Sequence, residues 1–118
     1  MGGYERELRV AVTETTFREA NETLHVIFAD DAKEAPLAGY PFVCECGDPA
    51  CTGVLLIPLE VYEQVRAHPM RFLILPGHTQ RGSERVVDQA DGYEVIEKVG
   101  AAGEIARADW SQLTRHSM

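Results

Sequence analysis

No stretch of this sequence approaches the run of about 18 apolar residues that a membrane-spanning helix requires, so no membrane association is expected. The opening residues, Met1-Gly2-Gly3-Tyr4-Glu5-Arg6, lack the apolar region of a secretory signal. Arg6 also stands where an N-myristoylation motif needs Ser or Thr. Basic residues are in the minority, 11 Lys and Arg against 19 Asp and Glu, and they are scattered rather than striped along one face. A net charge of -8 argues against nucleic acid as a partner, because a phosphate backbone is bound by releasing counterions to clustered cations. Cysteine is scarce and odd in number, with three in the chain. A secreted disulfide framework favours even counts and wider spacing, so the reading is a reducing cytoplasm with metal-bound thiols. Also missing are a Gly-rich phosphate loop, a Gly-x-Ser-x-Gly elbow, a His-Glu-x-x-His helix and the His-x-Glu with Pro-Cys-x-x-Cys of zinc deaminases. The familiar routes to catalysis are therefore absent.

What the sequence does have is concentrated in one turn. Cys44-Glu45-Cys46-Gly47-Asp48-Pro49-Ala50-Cys51 carries every cysteine of the chain. In extended backbone, residues two apart point the same way, so Cys44 and Cys46 share a side, and a turn through Gly47 and Pro49 can return Cys51 to the same point. Thiolates are soft, charge-donating ligands that suit zinc. The fourth ligand is read as His78, in Leu75-Pro76-Gly77-His78, immediately after the strongest predicted strand. His68 competes for that place, while His25 and His116 read as ordinary surface residues. Asp48 could supply an oxygen ligand, although in a turn an aspartate more often bonds nearby backbone amides. Three unligated thiols, or a Cys46–Cys51 disulfide, are the plainer alternatives.

The rest of the chain supplies a scaffold. Helical spacing of Phe17, Ala20, Leu24, Ile27 and Phe28 predicts an amphipathic helix over residues 16–31, opened by a capping box of Thr16 and Glu19. Its apolar face reads as core packing or as a dimerisation surface. Upstream, Leu8, Val10 and Val12 alternate as in a strand, yet the segment equally extends the helix backwards. Residues 35–41 form a linker, and apolar segments at 42–44 and 53–57 flank the cysteine turn as a hairpin. The unbroken apolar run after Gly53 predicts burial on both faces. A short helix over 59–67, ended by Pro69, and a strand over 71–75 follow. Residues 79–84 read as an exposed loop, and 85–89 with 93–98 as a second hairpin around Asp91-Gly92. Gly100-Ala101-Ala102-Gly103 breaks the strand, 104–108 form a helical turn, and residues 1–12 and 111–118 are expected to fray. The predicted fold class is α+β, an N-terminal helix packed on a small, mainly antiparallel sheet with a zinc knuckle in the first hairpin. A length of 118 residues predicts a single domain.

The segment Phe42-Val43-Cys44-Glu45-Cys46-Gly47-Asp48-Pro49-Ala50-Cys51-Thr52, followed by Tyr62-Glu63, Val65-Arg66, Arg71-Phe72 and Pro76-Gly77-His78, resembles a family of small, uncharacterised bacterial proteins. Those proteins share a Cys-x-Cys-Gly-Asp-x-x-Cys turn and a later Pro-Gly-His. Phe17-Arg18-Glu19-Ala20-Asn21-Glu22 and Gly92-Tyr93-Glu94-Val95-Ile96-Glu97-Lys98 are similar to it as well. The resemblance implies that Cys44, Cys46, Cys51 and His78 act as a set, and it implies no activity.

The function expected from these residues is that of a non-enzymatic zinc-binding module, with a structural zinc held by Cys44, Cys46, Cys51 and His78. Its partner would be another protein or a second copy of itself, as monomer or homodimer, in a regulatory role. Four protein ligands close a zinc shell, whereas three ligands and a water would open it to chemistry. A zinc hydrolase with Glu45 or Asp48 as general base is the runner-up. Oxidation of zinc-bound thiolates would make the same residues a redox or metal sensor.

Overall fold

Between Gly3 and Pro36 the sequence contains neither glycine nor proline, and it folds as one long helix, α1 (Gly2–Ala32). The computed structural model of the chain describes residues 2–79 and 84–116. The helix thus begins well before the predicted Thr16, and the strand-like alternation upstream is helical. Thr16 makes no capping box. It lies inside the helix, and its hydroxyl donates to the Val12 carbonyl at 3.0 Å. The Asp30 and Asp31 carbonyls accept the last turn from Lys33, Glu34 and Ala35, and Pro36 biases the residue before it away from helical backbone.

The face that α1 buries is the predicted one only in part. Glu14, Arg18 and Asn21 are buried, Leu24 and Phe28 pack against the core from its edge, and Ile27 is half exposed. The physical reason is that these polar side chains find partners inside. Arg18 donates to the Pro69 carbonyl at 2.6 Å and the Ala106 carbonyl at 2.8 Å, and its guanidinium lies 4.4 Å from the centre of the Phe72 ring. Helical periodicity of apolar residues could not report a face built this way.

Two antiparallel sheets follow. In the first, β1 (Tyr40–Val43) pairs with β2 (Val54–Ile57), Tyr40 opposite Ile57 and Val43 opposite Val54. In the second, β5 (Tyr93–Lys98) lies between β3 (Arg71–Ile74) and β4 (Glu84–Ala90). Gly92 takes φ +91 in the turn between β4 and β5, as Asp91-Gly92 predicts. The predicted loop at 79–84 falls, apart from Thr79 and Glu84, outside the described residues. The sheets meet at Glu45, whose N–H donates to the Leu73 carbonyl at 2.7 Å. The strand order across that bridge runs β2, β1, β3, β5, β4. The α+β class and the antiparallel pairing agree with the sequence reading.

Two further expectations are corrected. The run after Gly53 is buried on one face only, with Leu55 and Ile57 inside and Val54 and Leu56 56% and 75% exposed. No described element covers the outer face. Beyond β5 the chain forms a full helix, α3 (Gly100–His116), in place of a single turn and a frayed tail. Gly103 sits inside it because a Cβ there would meet the Lys98 carbonyl at 2.9 Å, so close packing and not chain-breaking is its role. Ser117 and Met118 lie outside the described residues.

The core forms where α1, the hairpin and α2 (Leu59–Arg66) meet. Phe42 stacks on Tyr62 with ring centres 4.3 Å apart, and Phe28 meets Phe42 edge-on at 5.5 Å. Phe72, Leu73, Ile74 and Ile96 complete it from the second sheet. Beside it lies a buried charged joint, in which Lys98 Nζ is 2.6 Å from Glu14 and 2.5 Å from Glu84. Among the described residues, no helix is long and apolar enough to cross a membrane.

Candidate metal centre

The strand β1 runs straight into the cysteines. The tripeptide Cys44-Glu45-Cys46 sends both sulfurs to one place, while its carboxylate turns to other partners. Asp48 shapes the return, its carboxylate accepting the Ala50 N–H at 2.9 Å and its carbonyl accepting the Cys51 N–H at 3.0 Å. This turn-forming use is the one expected of an aspartate there, in preference to metal ligation. Gly47 serves packing, because a Cβ at that position would lie 2.2 Å from Val10 Cγ1 of α1. The long helix therefore crosses directly over the cysteine turn.

His78 arrives from β3 through a tight turn. The His78 N–H donates to the Leu75 carbonyl at 3.2 Å, Pro76 presets the first corner, and Gly77 supplies the φ of +83 at the second. Proline and then a left-handed glycine is the chemistry of a type II turn, which explains why the histidine follows Pro-Gly. Its Nδ1 ends 3.6 Å from Cys44 Sγ and 3.7 Å from Cys51 Sγ.

One potential ligand atom from each of Cys44, Cys46, Cys51 and His78 lies within 4.8 Å of the other three. Zinc bonds of about 2.3 Å to sulfur and about 2.0–2.1 Å to nitrogen put the tetrahedral S···N edge at about 3.5–3.6 Å. The two sulfur–Nδ1 distances of 3.6 and 3.7 Å match that edge without rearrangement. The donor set can thus hold a metal ion. His68 is exposed and outside this group, and the His116 side chain is not among those described. His25 is not the ordinary surface residue expected. Its side chain is 14% exposed, its Nε2 lies 3.7 Å from Glu63, and its ring is 5.6 Å from that of Tyr62.

Burial pushes the Cys44 thiol up and the Cys46 thiol up to about 12, so neither would ionise alone at neutral pH. A divalent ion reverses that balance by taking the negative charge directly. Backbone amides already point at two of the sulfurs: Leu75 N–H at Cys44 Sγ, 3.2 Å, and Gly53 N–H at Cys51 Sγ, 3.4 Å. The three cysteines are free of disulfides. An open depression of about 240 Å³, lined by Cys46, Asp48, Gly77, His78 and Thr79, brings solvent to one side of the cluster.

Sequence reasoning missed the residues that brace these ligands. Glu45, read as a solvated carboxylate or a general base, is 1% exposed and has both oxygens engaged. One accepts the Leu73 N–H at 2.8 Å and the other an N–H of Asn21 at 2.8 Å. Desolvation by burial raises its pKa to about 7. Asn21 uses its whole amide, since it also donates to the Val43 carbonyl and accepts the Val43 N–H, each at 2.8 Å. Being the only asparagine in the chain was one signal, and its place in the Phe17–Glu22 stretch of the resemblance was a second.

Comparison with protein-family models, with curated proteins and with solved structures finds no match for the chain.

Proposed function

We propose that this protein is a non-enzymatic zinc-binding module in which Cys44, Cys46, Cys51 and His78 close a structural site. In this reading it acts by contact with protein, in a regulatory role in a bacterial cytoplasm. The observation that carries the reading is the convergence of His78 Nδ1 on two cysteine sulfurs at zinc-like separations across a chain distance of 27 and 34 residues. Softness of the donors favours zinc over magnesium or calcium, which take oxygen. The resemblance to small bacterial proteins with the same cysteine turn and Pro-Gly-His supports treating the four residues as one set.

A structural role fits the company the ligands keep. Glu45, the nearest candidate for a general base, is 1% exposed on the far side of the tripeptide, with both oxygens turned to the Leu73 and Asn21 N–H groups and away from any substrate water. X-ray absorption on the zinc-loaded chain tests the reading. Three sulfurs and one nitrogen, at one zinc per chain, are expected. An oxygen in the first shell in place of the nitrogen would open the site, overturn the structural reading and favour a zinc hydrolase using the depression beside Asp48.

A further inference from the structure

The chain protects its sheet edges unevenly. An edge strand displays unpaired N–H and C=O groups and must be blunted by charge, proline, a bulge or a cover. The outer side of β4 carries Glu84, Arg85 and Asp88 and a register shift between Val86 and Asp88. The open side of β3 is taken up by Glu45 and by Cys44 Sγ. On β1, Pro41 has no N–H to offer, and Asn21 takes both backbone groups of Val43.

β2 has none of these devices. The Cys44 N–H donates to the Gly53 carbonyl at 3.0 Å, which makes 44 and 53 a bonded pair. Bonded pairs recur every second residue in an antiparallel ladder, so the backbone groups of Val54 and Leu56 point away from β1. Among the described residues no hydrogen bond reaches them. The side chains beside that edge are apolar, Val54 56% and Leu56 75% exposed, with Leu37 63% exposed nearby in the sequence before β1. Residues 35–44 and 49–59 contain no charged side chain in a chain of net charge -8.

We infer that β2 is the contact between two copies of this chain, which pair antiparallel through their free edges. The pairing centres on Leu55, with Val54 of each copy exchanging both backbone bonds with Leu56 of the other. The result is a closed, isologous contact that satisfies every donor and acceptor the edge exposes. Neutrality of the edge argues against a charged strand, and its register, with its two outward residues on either side of Leu55, is its own complement. A charged foreign strand would meet no counter-charge at this edge. A second copy would bring a neutral strand to a neutral strand and keep the acidic remainder of both surfaces in water. The inference names the protein contact left open by the proposed function, and it stands or falls separately from the metal.

Analytical ultracentrifugation of the zinc-loaded full chain, from micromolar to millimolar concentration, reads the association, and hydrogen exchange reads the edge. A monomer–dimer equilibrium is expected, with slowed exchange at the Val54 and Leu56 amides only where dimer is populated. Val54→Glu and Leu56→Lys should each weaken self-association by about tenfold or more. A mixture of the two variants should form a heterodimer, because Glu at 54 of one copy then faces Lys at 56 of the other. A chain monomeric at millimolar concentration overturns the inference, whatever other strand the edge then accepts. So does a dimer whose Val54 and Leu56 amides exchange freely, or a mixture that fails to associate. Zinc content measured on the same samples keeps the two proposals apart: a zinc-loaded monomer removes the dimer alone.

Discussion

The cysteine turn and the Glu14–Lys98–Glu84 joint do the same mechanical work with opposite chemistry. Each fastens segments that are distant in sequence: the turn joins the first hairpin to the end of β3, and the charged joint holds α1 against β4 and β5. Each gathers groups that would be costly to bury alone. The charged joint brings its own cation, Lys98, between two carboxylates. The cysteine joint has the thiols and the amides that steady their sulfurs, and in our reading it borrows its cation from solution and gives up thiol protons in exchange. One joint is therefore complete whenever the chain is folded, whereas the other depends on metal supply.

Taking the cation from each joint sharpens that contrast. Chelating the metal should have the largest effect, a loss of at least about 5 kcal/mol, because binding free energy at a structural site appears as folding free energy. Calorimetry with and without a strong chelator reads it. An unchanged melting temperature would show that the cysteine joint holds without a metal and would erase the difference between the two regions. Next comes Lys98→Met, which leaves Glu14 and Glu84 buried with no cation between them. A loss of about 3–5 kcal/mol in urea unfolding is expected, the usual cost of breaking a buried ion pair from one side. A loss under about 1 kcal/mol would mean that water reaches the joint.

The two joints also differ in how far the sequence announces them. Cysteine is rare, and three within eight positions point to one chemistry, so Cys44, Cys46 and Cys51 could be grouped by inspection. The Pro-Gly before His78 marked a turn that would aim the histidine. Glutamate and lysine are common, and nothing in the spacing of Glu14, Glu84 and Lys98 sets them apart from surface charges. The same blindness explains the helix face. Periodicity finds apolar stripes, and α1 is buried through Glu14, Arg18 and Asn21, whose bonded partners lie 22 to 88 residues away and are reached only after folding. Strand pairing was legible because alternation and Asp-Gly turns are local. Which face of β2 would be covered was not, since an apolar run says only that burial is favourable and not whether a cover exists.

The smallest effect separates the joints by pH. Glu14 is 3% exposed, and desolvation raises its pKa from the ordinary 4.5 to about 7 against the pull of Lys98. Glu84 and Glu45 add to the rise, since their charges oppose a third negative one. A raised carboxyl pKa means that the folded chain keeps a proton that the unfolded chain releases, so stability falls as pH climbs. The contribution is full below about 4.5 and gone above about 7. At about 1.4 kcal/mol for each pH unit, the interval from 4.5 to about 7 bounds it at about 3–4 kcal/mol. Glu14→Gln stays neutral throughout and lacks this slope. Thiol protonation acts in the other direction, weakening metal binding at low pH, but it is common to both proteins and cancels in their difference. Measured by urea unfolding of the zinc-loaded forms between pH 5 and 8, the parent chain should lose stability relative to Glu14→Gln as pH rises. Parallel profiles would mean that Glu14 is ionised across the whole range, and that Lys98 alone holds its carboxylate in place without a proton.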